Sequence, residues 1–180
     1  MNLAANLVAA AAAHPDRPAL RIDGRIVTYA QLRSAAAAAA EDLARRGIEP
    51  GDRVAVSAPN VPAFAILFYG ALLAGGIVVP MNPLLKTREV RHVLDDSGSR
   101  LVLTCNPQDE AIPAAAQAAG IPSVVVHPLT GRPADPDGGG ADGDSGGGAG
   151  ADGSGEGEPA AREASDTAII LYTSGTTGRP

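Results

Sequence analysis

The sequence predicts an α/β protein, a partial parallel sheet flanked by helices. Three observations carry that reading. Four short runs with apolar, β-branched centres recur along the chain at Arg53–Ser57, Ile77–Pro80, Arg100–Thr104 and Ser123–His127. Strands of this kind are covered on both faces, as in parallel sheets. Segments of helical length, with capping and stop signals, separate them. The third observation is composition: 45% of the 180 residues are hydrophobic but only 3% are aromatic, so Ala, Val, Leu and Ile must build the core. Alternating strands and helices imply right-handed crossovers.

The elements follow in order. Asn2–Ala13 reads as an Ala-rich helix ended by His14-Pro15. It lacks the basic stretch that opens a secretory signal, since the first base is Arg17. Two alternating runs flank Asp23-Gly24, a dipeptide suited to a type I′ hairpin turn. Thr28, with Gln31 three residues on, has the spacing of a capping box. The helix it opens runs through Ala35–Ala40 to Arg46, and Gly47 is its left-handed stop. After Arg53–Ser57, Pro59 and Pro62 bracket a loop before a helix at Ala63–Ala74. Thr87 is placed to cap a helix to about Asp95, with Glu89 near its positive end. A further helix spans Gln108–Ala119 and stops at Gly120.

Composition excludes several classes. The net charge of −6 does not suit a nucleic-acid binder, because phosphate neutralisation needs surplus Lys and Arg. One Cys rules out an internal disulfide framework and a multi-Cys zinc site. Pro and Gly interrupt the longest apolar stretch, Val61–Pro80, so no transmembrane segment is expected and a soluble cytoplasmic protein is the default. The acidity is local: Asp135, Asp137, Asp142, Asp144, Asp152, Glu156 and Glu158 lie in one stretch without a base. The rest of the chain is close to neutral. Residues 131–157 are Gly, Asp, Ser, Ala and Pro without apolar periodicity, which reads as a disordered surface insertion. A calcium-binding Gly/Asp repeat would need a nonapeptide period that is missing.

Order is expected to resume in a buried-type strand, Asp166–Tyr172, which runs into Thr173-Ser-Gly-Thr-Thr-Gly178. Gly175 and Gly178 let a backbone turn tightly and approach a ligand. Successive N–H groups in such a turn form an anion nest. Thr173, Ser174, Thr176 and Thr177 add four hydroxyls for phosphate or Mg²⁺. The glycine spacing fits neither the Walker loop nor GxGxxG.

Tyr172-Thr-Ser-Gly-Thr-Thr-Gly-Arg-Pro180 resembles the phosphate-loop signature of the adenylate-forming (AMP-binding) enzymes, [Tyr/Phe]-Thr-Ser-Gly-Thr-Thr-Gly-x-Pro-Lys-Gly. That superfamily holds acyl-CoA synthetases, peptide-synthetase adenylation domains and luciferases. Val27–Leu32, Gly51–Val56, Pro59-Asn60, Gly70–Gly76 and Val79–Leu85 resemble its N-terminal half, the last most like fatty-acyl-CoA ligases. The resemblance implies the N-terminal part of the large domain. It divides the chain into an α/β subdomain (1–130), the acidic insertion (131–163), and a strand with the start of the phosphate loop (164–180).

The resemblance also implies a reaction. A small-molecule carboxylic acid attacks the α-phosphate of ATP to give acyl-AMP and pyrophosphate, and CoA then displaces AMP. By position, Thr173, Ser174, Gly175, Thr176, Thr177 and Gly178 would hold the leaving phosphates, and Thr176 would ligate Mg²⁺. The run stops at Pro180, before the Lys and Gly that close the family pattern. The 180 residues are therefore expected to be inactive alone, with no catalytic residue assigned. The rival readings are a non-catalytic remnant or interaction module, an independent nucleotide-binding domain, and a fragment of a peptide-synthetase adenylation domain.

The remaining reactive side chains read as structural. Cys105 ends an apolar strand with no base near it in sequence. His14, His92 and His127 lack metal-ligand spacing. Asp95-Asp96 reads as a solvated helix end, and Arg45-Arg46 as a response to the helix dipole.

Overall fold

The computed structural model describes residues 2–134 and 158–173. Its elements are α1 (Ala5–Ala13), β1 (Pro18–Ile22), β2 (Arg25–Thr28), α2 (Tyr29–Arg45), β3 (Arg53–Ser57), α3 (Pro62–Leu73), β4 (Ile77–Met81), α4 (Thr87–Ser97), β5 (Leu101–Thr104), α5 (Ala111–Ala119) and β6 (Ser123–Val125). β1 and β2 form the antiparallel hairpin, with Asp23 and Gly24 at φ 48° and 78° as a type I′ turn requires. The other strands form a parallel sheet in the order β4-β3-β5-β6.

Alternation along the strands fills two cores. Val54, Val56, Val78, Leu101 and Leu103 face α1, α2 and α3. Ala55, Val79, Met81 and Val102 face α4 and α5. Helices on both faces follow from the order of crossovers. α3 carries the chain outward from β3 to β4, whereas α4 brings it back past β3 to β5. Right-handed connections travelling in opposite directions must lie on opposite faces.

The caps act largely as their residue types dictate. Thr28 N–H donates to Gln31 Oε1 (2.9 Å) and Gln31 N–H donates to Thr28 Oγ1 (3.2 Å), closing the capping box. Gly47 sits at φ 79° and Gly120 at φ 68°, each ending its helix. Several boundaries shift by a residue or two from the sequence reading, and at three helix starts the capping contacts give the reason. α1 begins at Ala5 because Asn2 Oδ1 accepts from Ala4 N–H and holds the first residues in a turn. Thr87 is the first residue of α4 rather than its cap, and Glu89 Oε2 instead accepts from Lys86 N–H at 2.8 Å. α5 begins at Ala111, not Gln108, because Asp109 Oδ1 accepts from the N–H groups of Ala111 (2.9 Å) and Ile112 (3.4 Å).

β6 is also shorter than expected. After Val125 the chain turns at Gly131 (φ 66°), and Val126 forms an antiparallel bridge with Pro133. The ends of the acidic insertion are thus tied to the body: Ala134 N–H donates to Val125 O, and Ala160 N–H donates to Leu73 O, both at 2.9 Å. Asn2 Nδ2 reinforces the return by donating to Leu72 O and Ala160 O. Residues 135–157, the centre of that insertion, lie outside the described residues. Among the described residues, no helix is long and apolar enough to cross a membrane.

The largest departure concerns Asp166–Tyr172. The segment lies along β4 but makes only one parallel bridge, Val78 with Ile169. Val78 N–H donates to Ala168 O (3.0 Å) and Ile170 N–H donates to Val78 O (2.9 Å). The next β4 residue facing the same edge is two positions on, Pro80, which has no N–H to give. The ladder therefore ends where Pro80 stands, and the segment is a tethered extended chain rather than a strand. Leu171 is 70% exposed, so the buried character read from the sequence does not hold there.

Candidate functional site

The four parallel strands point their carboxyl ends one way, and Ile169 runs parallel to β4, so the chain leaves toward that same edge at Thr173. Ligands of open α/β sheets bind outside the carboxyl ends, at the point where strand order reverses. Here the reversal falls between β3 and β5.

Thr173 is exposed. Ser174, Gly175, Thr176, Thr177 and Gly178, the other residues of the predicted phosphate loop, lie outside the described residues. The approach to the loop is well defined. Ile170 and Tyr172 pack against the α4/α5 core. Tyr172 stands edge-on to the His92 ring (centroids 6.3 Å apart, 78°) and its hydroxyl donates to Asp96 Oδ2 at 2.5 Å. Burial, then the hydrogen bond and charge of Asp96, push its phenol up to about 12. It remains a donor across the neutral range.

Asp96 is the residue that sequence reasoning missed. Asp95 pairs with Arg91 at 2.6 Å along the helix, as an exposed acid should, but Asp96 turns to Tyr172, 76 residues away. Local sequence carries no signal for a partner so distant. Arg45 and Arg46 both reach Asp42, at 3.3 and 2.6 Å, adding ion pairs to the dipole explanation.

At the reversal, Ser57 and Thr104 end β3 and β5 side by side, each 1% exposed. Thr104 Oγ1 accepts from Asn106 N–H at 3.3 Å, whereas Ser57 Oγ makes no hydrogen bond among the described residues. Cys105 follows, buried as expected, and its N–H donates to Ser57 O. Burial pushes the thiol from 9.0 up to about 11. The folded chain therefore keeps a proton that the unfolded chain releases from pH 9 upward. This contribution to stability is full below pH 9 and fades as the pH rises toward 11. Cys105→Ala should flatten the urea midpoint over that range, and curves of identical shape for both chains would contradict the burial argument.

A Ser/Thr/Gly run offers hydroxyls and backbone N–H groups. Among the described residues, no group of three His, Cys, Asp or Glu side chains could hold a metal.

Comparison with known proteins decides the family. The family model described as AMP-binding enzyme matches residues 7–180. The chain belongs to the AMP-binding enzyme family. Long-chain-fatty-acid–CoA ligase FadD13 of Mycobacterium tuberculosis is 39% identical over 155 residues, covering 86% of this chain and 28% of that enzyme. Tyrocidine synthase 3 of Brevibacillus parabrevis is 30% identical over 166 residues, 92% of this chain and 2% of that protein. The crystal structure of a benzoate CoA ligase from Burkholderia xenovorans LB400 superposes with a TM-score of 0.67 at 27% identity, over 73% of this chain and 27% of that one. This AMP-binding chain thus spans under a third of the length of these relatives. Its four-stranded parallel sheet and flanking helices match the N-terminal part of the family fold.

Proposed function

We propose that this AMP-binding chain is the N-terminal part of an acyl-CoA ligase. The enzyme joins a carboxylic acid, of the fatty-acid class, to the α-phosphate of ATP with loss of pyrophosphate. CoA thiolate then takes the acyl group and releases AMP. The observation that carries the reading is the Tyr172–Pro180 sequence in a member of this family, with its first two residues, Tyr172 and Thr173, at the carboxyl edge of a parallel sheet.

The division of labour follows from residue chemistry. Ser174, Thr176 and Thr177 hydroxyls, with the N–H groups around Gly175 and Gly178, hold the β- and γ-phosphates. Positioning and charge stabilisation of this kind lower the barrier without a covalent step to the protein. Thr176 would supply one oxygen to Mg²⁺, and the ion, when bound, would supply charge neutralisation for the phosphates. None of the described residues is assigned to CoA. The fatty-acid class is supported by the Val79–Leu85 stretch and by the identity to FadD13. Dependence on ATP and CoA puts the working enzyme in the cytoplasm.

ATP–pyrophosphate exchange tests the reading. The enzyme carrying this segment should exchange label with fatty acids and release AMP once CoA is added. Gly175→Val should reduce exchange by roughly a hundredfold, the scale of losing oriented backbone donors. Exchange with amino acids alone would move the chain to the peptide-synthetase branch. The 180 residues by themselves should show none, and exchange by the isolated chain would refute its inactivity.

A further inference from the structure

We propose that Tyr172 and Asp96 are a positioning pair that sets the direction in which the chain enters the phosphate loop at Thr173. The proposal rests on the phosphate-loop reading above and goes beyond it. It assigns a role to two side chains outside the loop.

The backbone alone holds the approach to the loop loosely. Pro80 stops the ladder, so the bonds at Val78 fix Ala168 and Ile170 but not the residues beyond. From there to Thr173, the Tyr172 side chain is the anchor that the described residues provide. Its ring seats on the α4/α5 core beside His92 and its hydroxyl reaches Asp96 at 2.5 Å. A Phe would fill the same apolar seat. The hydroxyl adds a bond to a charged acceptor, which is shorter and about twice as strong as a neutral one.

Asp96 is a firm acceptor because the end of α4 is immobilised. Val93 and Leu94 are buried, Ser97 Oγ donates to Val93 O at 2.7 Å, and Arg53 Nε donates to Ser97 O at 2.9 Å. Helix stability does not account for an acid at this position. Asp96 lies in the last turn of α4, where the helix dipole disfavours negative charge. Its neighbour Asp95 already takes Arg91. The bond to Tyr172 gives Asp96 a purpose that its own helix does not.

The pair is tested in two settings, with Tyr172→Phe, Asp96→Ala, the double variant and Asp96→Asn, which keeps an acceptor. In the 180-residue chain, amide relaxation should show increased motion at Leu171–Thr173 in Tyr172→Phe and Asp96→Ala. Asp96→Asn should stay close to the parent, and protection in β3 and β5 should be unchanged. In the enzyme carrying the segment, each of the first two changes should raise KM for ATP in the exchange assay roughly tenfold, the scale of one charged hydrogen bond. The double variant should be no worse than either single one. Unchanged motion at Leu171–Thr173, additive losses, or a fall in overall protection matching the kinetic loss would each overturn the pair. If the parent enzyme shows no exchange with any acid, the proposed function fails, and the relaxation result alone decides the fate of the pair.

Discussion

Gly70→Val is expected to leave little folded protein, and even Gly70→Ala should lower the urea midpoint. Gly70 lies in α3 where it crosses α2. A Cβ there would stand 2.7 Å from Ala39 Cβ, 3.1 Å from Ala36 O and 3.4 Å from Ala40 N. Two of those three neighbours are helix backbone, which cannot step aside as a flexible side chain can. Helix propensity predicts the opposite sign, since Ala is favoured over Gly by about 1 kcal/mol in a helix interior. Overpacking a filled core typically costs about 1–3 kcal/mol, and a 2.7 Å contact is closer than Cβ atoms approach, so the two helices must shift. Crowding should therefore win for Ala by a modest margin. Val adds two further methyl groups to the same gap and should consume much of a total stability of about 5–15 kcal/mol. Far-UV dichroism through a urea series reads the effect, and Ala39→Gly should recover part of the Gly70→Ala loss. A Gly70→Ala chain as stable as its parent would mean that the helix crossing is not packed this closely.

The same crossing shows what the sequence discloses and what it withholds. The Ala35–Ala40 run is visibly a helix, and its residue type already implies close approach of something small. That the something is Gly70 emerges only when the chain folds. Local chemistry was read well: Thr28 with Gln31, Asp23-Gly24, Gly47 and Gly120 each act within a few residues of themselves. The strands were legible because burial on both faces demands apolar centres. Asp166–Tyr172 misled for the same reason, since an apolar run looks alike whether or not its neighbour can donate. The missing donor belongs to Pro80, nearly ninety residues earlier. At the candidate site, the Ser/Thr/Gly run announces itself, but Asp96 does not. Adjacent acids at a helix end look identical, and only the folded chain separates the one facing Arg91 from the one facing Tyr172.

Arg53→Met should be the second severe change, and its effect should spread from the sheet to the loop. Arg53 opens β3, and its guanidinium donates to Ser97 O (2.9 Å), Gly98 O (2.5 Å) and Gly51 O (3.3 Å). The first two acceptors are carbonyls at the end of α4, which have no partner within the helix. One charged side chain thus ties the start of the central strand to the end of a helix on the far face. Bonds to charged groups contribute about 1.5–3 kcal/mol each, and stranded carbonyls would add a desolvation penalty. Met preserves the apolar stem, so packing loss stays small and the measured change reports the tether. A loss of about 2–4 kcal/mol in urea is expected, with Arg53→Lys recovering part because an ammonium can reach one carbonyl at a time. Hydrogen exchange should locate the damage at Gly98 to Arg100, whose amides close the turn into β5. A change under about 0.5 kcal/mol, the range of an ordinary surface substitution, would show that the tether holds nothing. The same variant also bears on the site. Asp96 sits one residue before Ser97, so loosening that turn should increase motion at Tyr172 without altering either member of the pair.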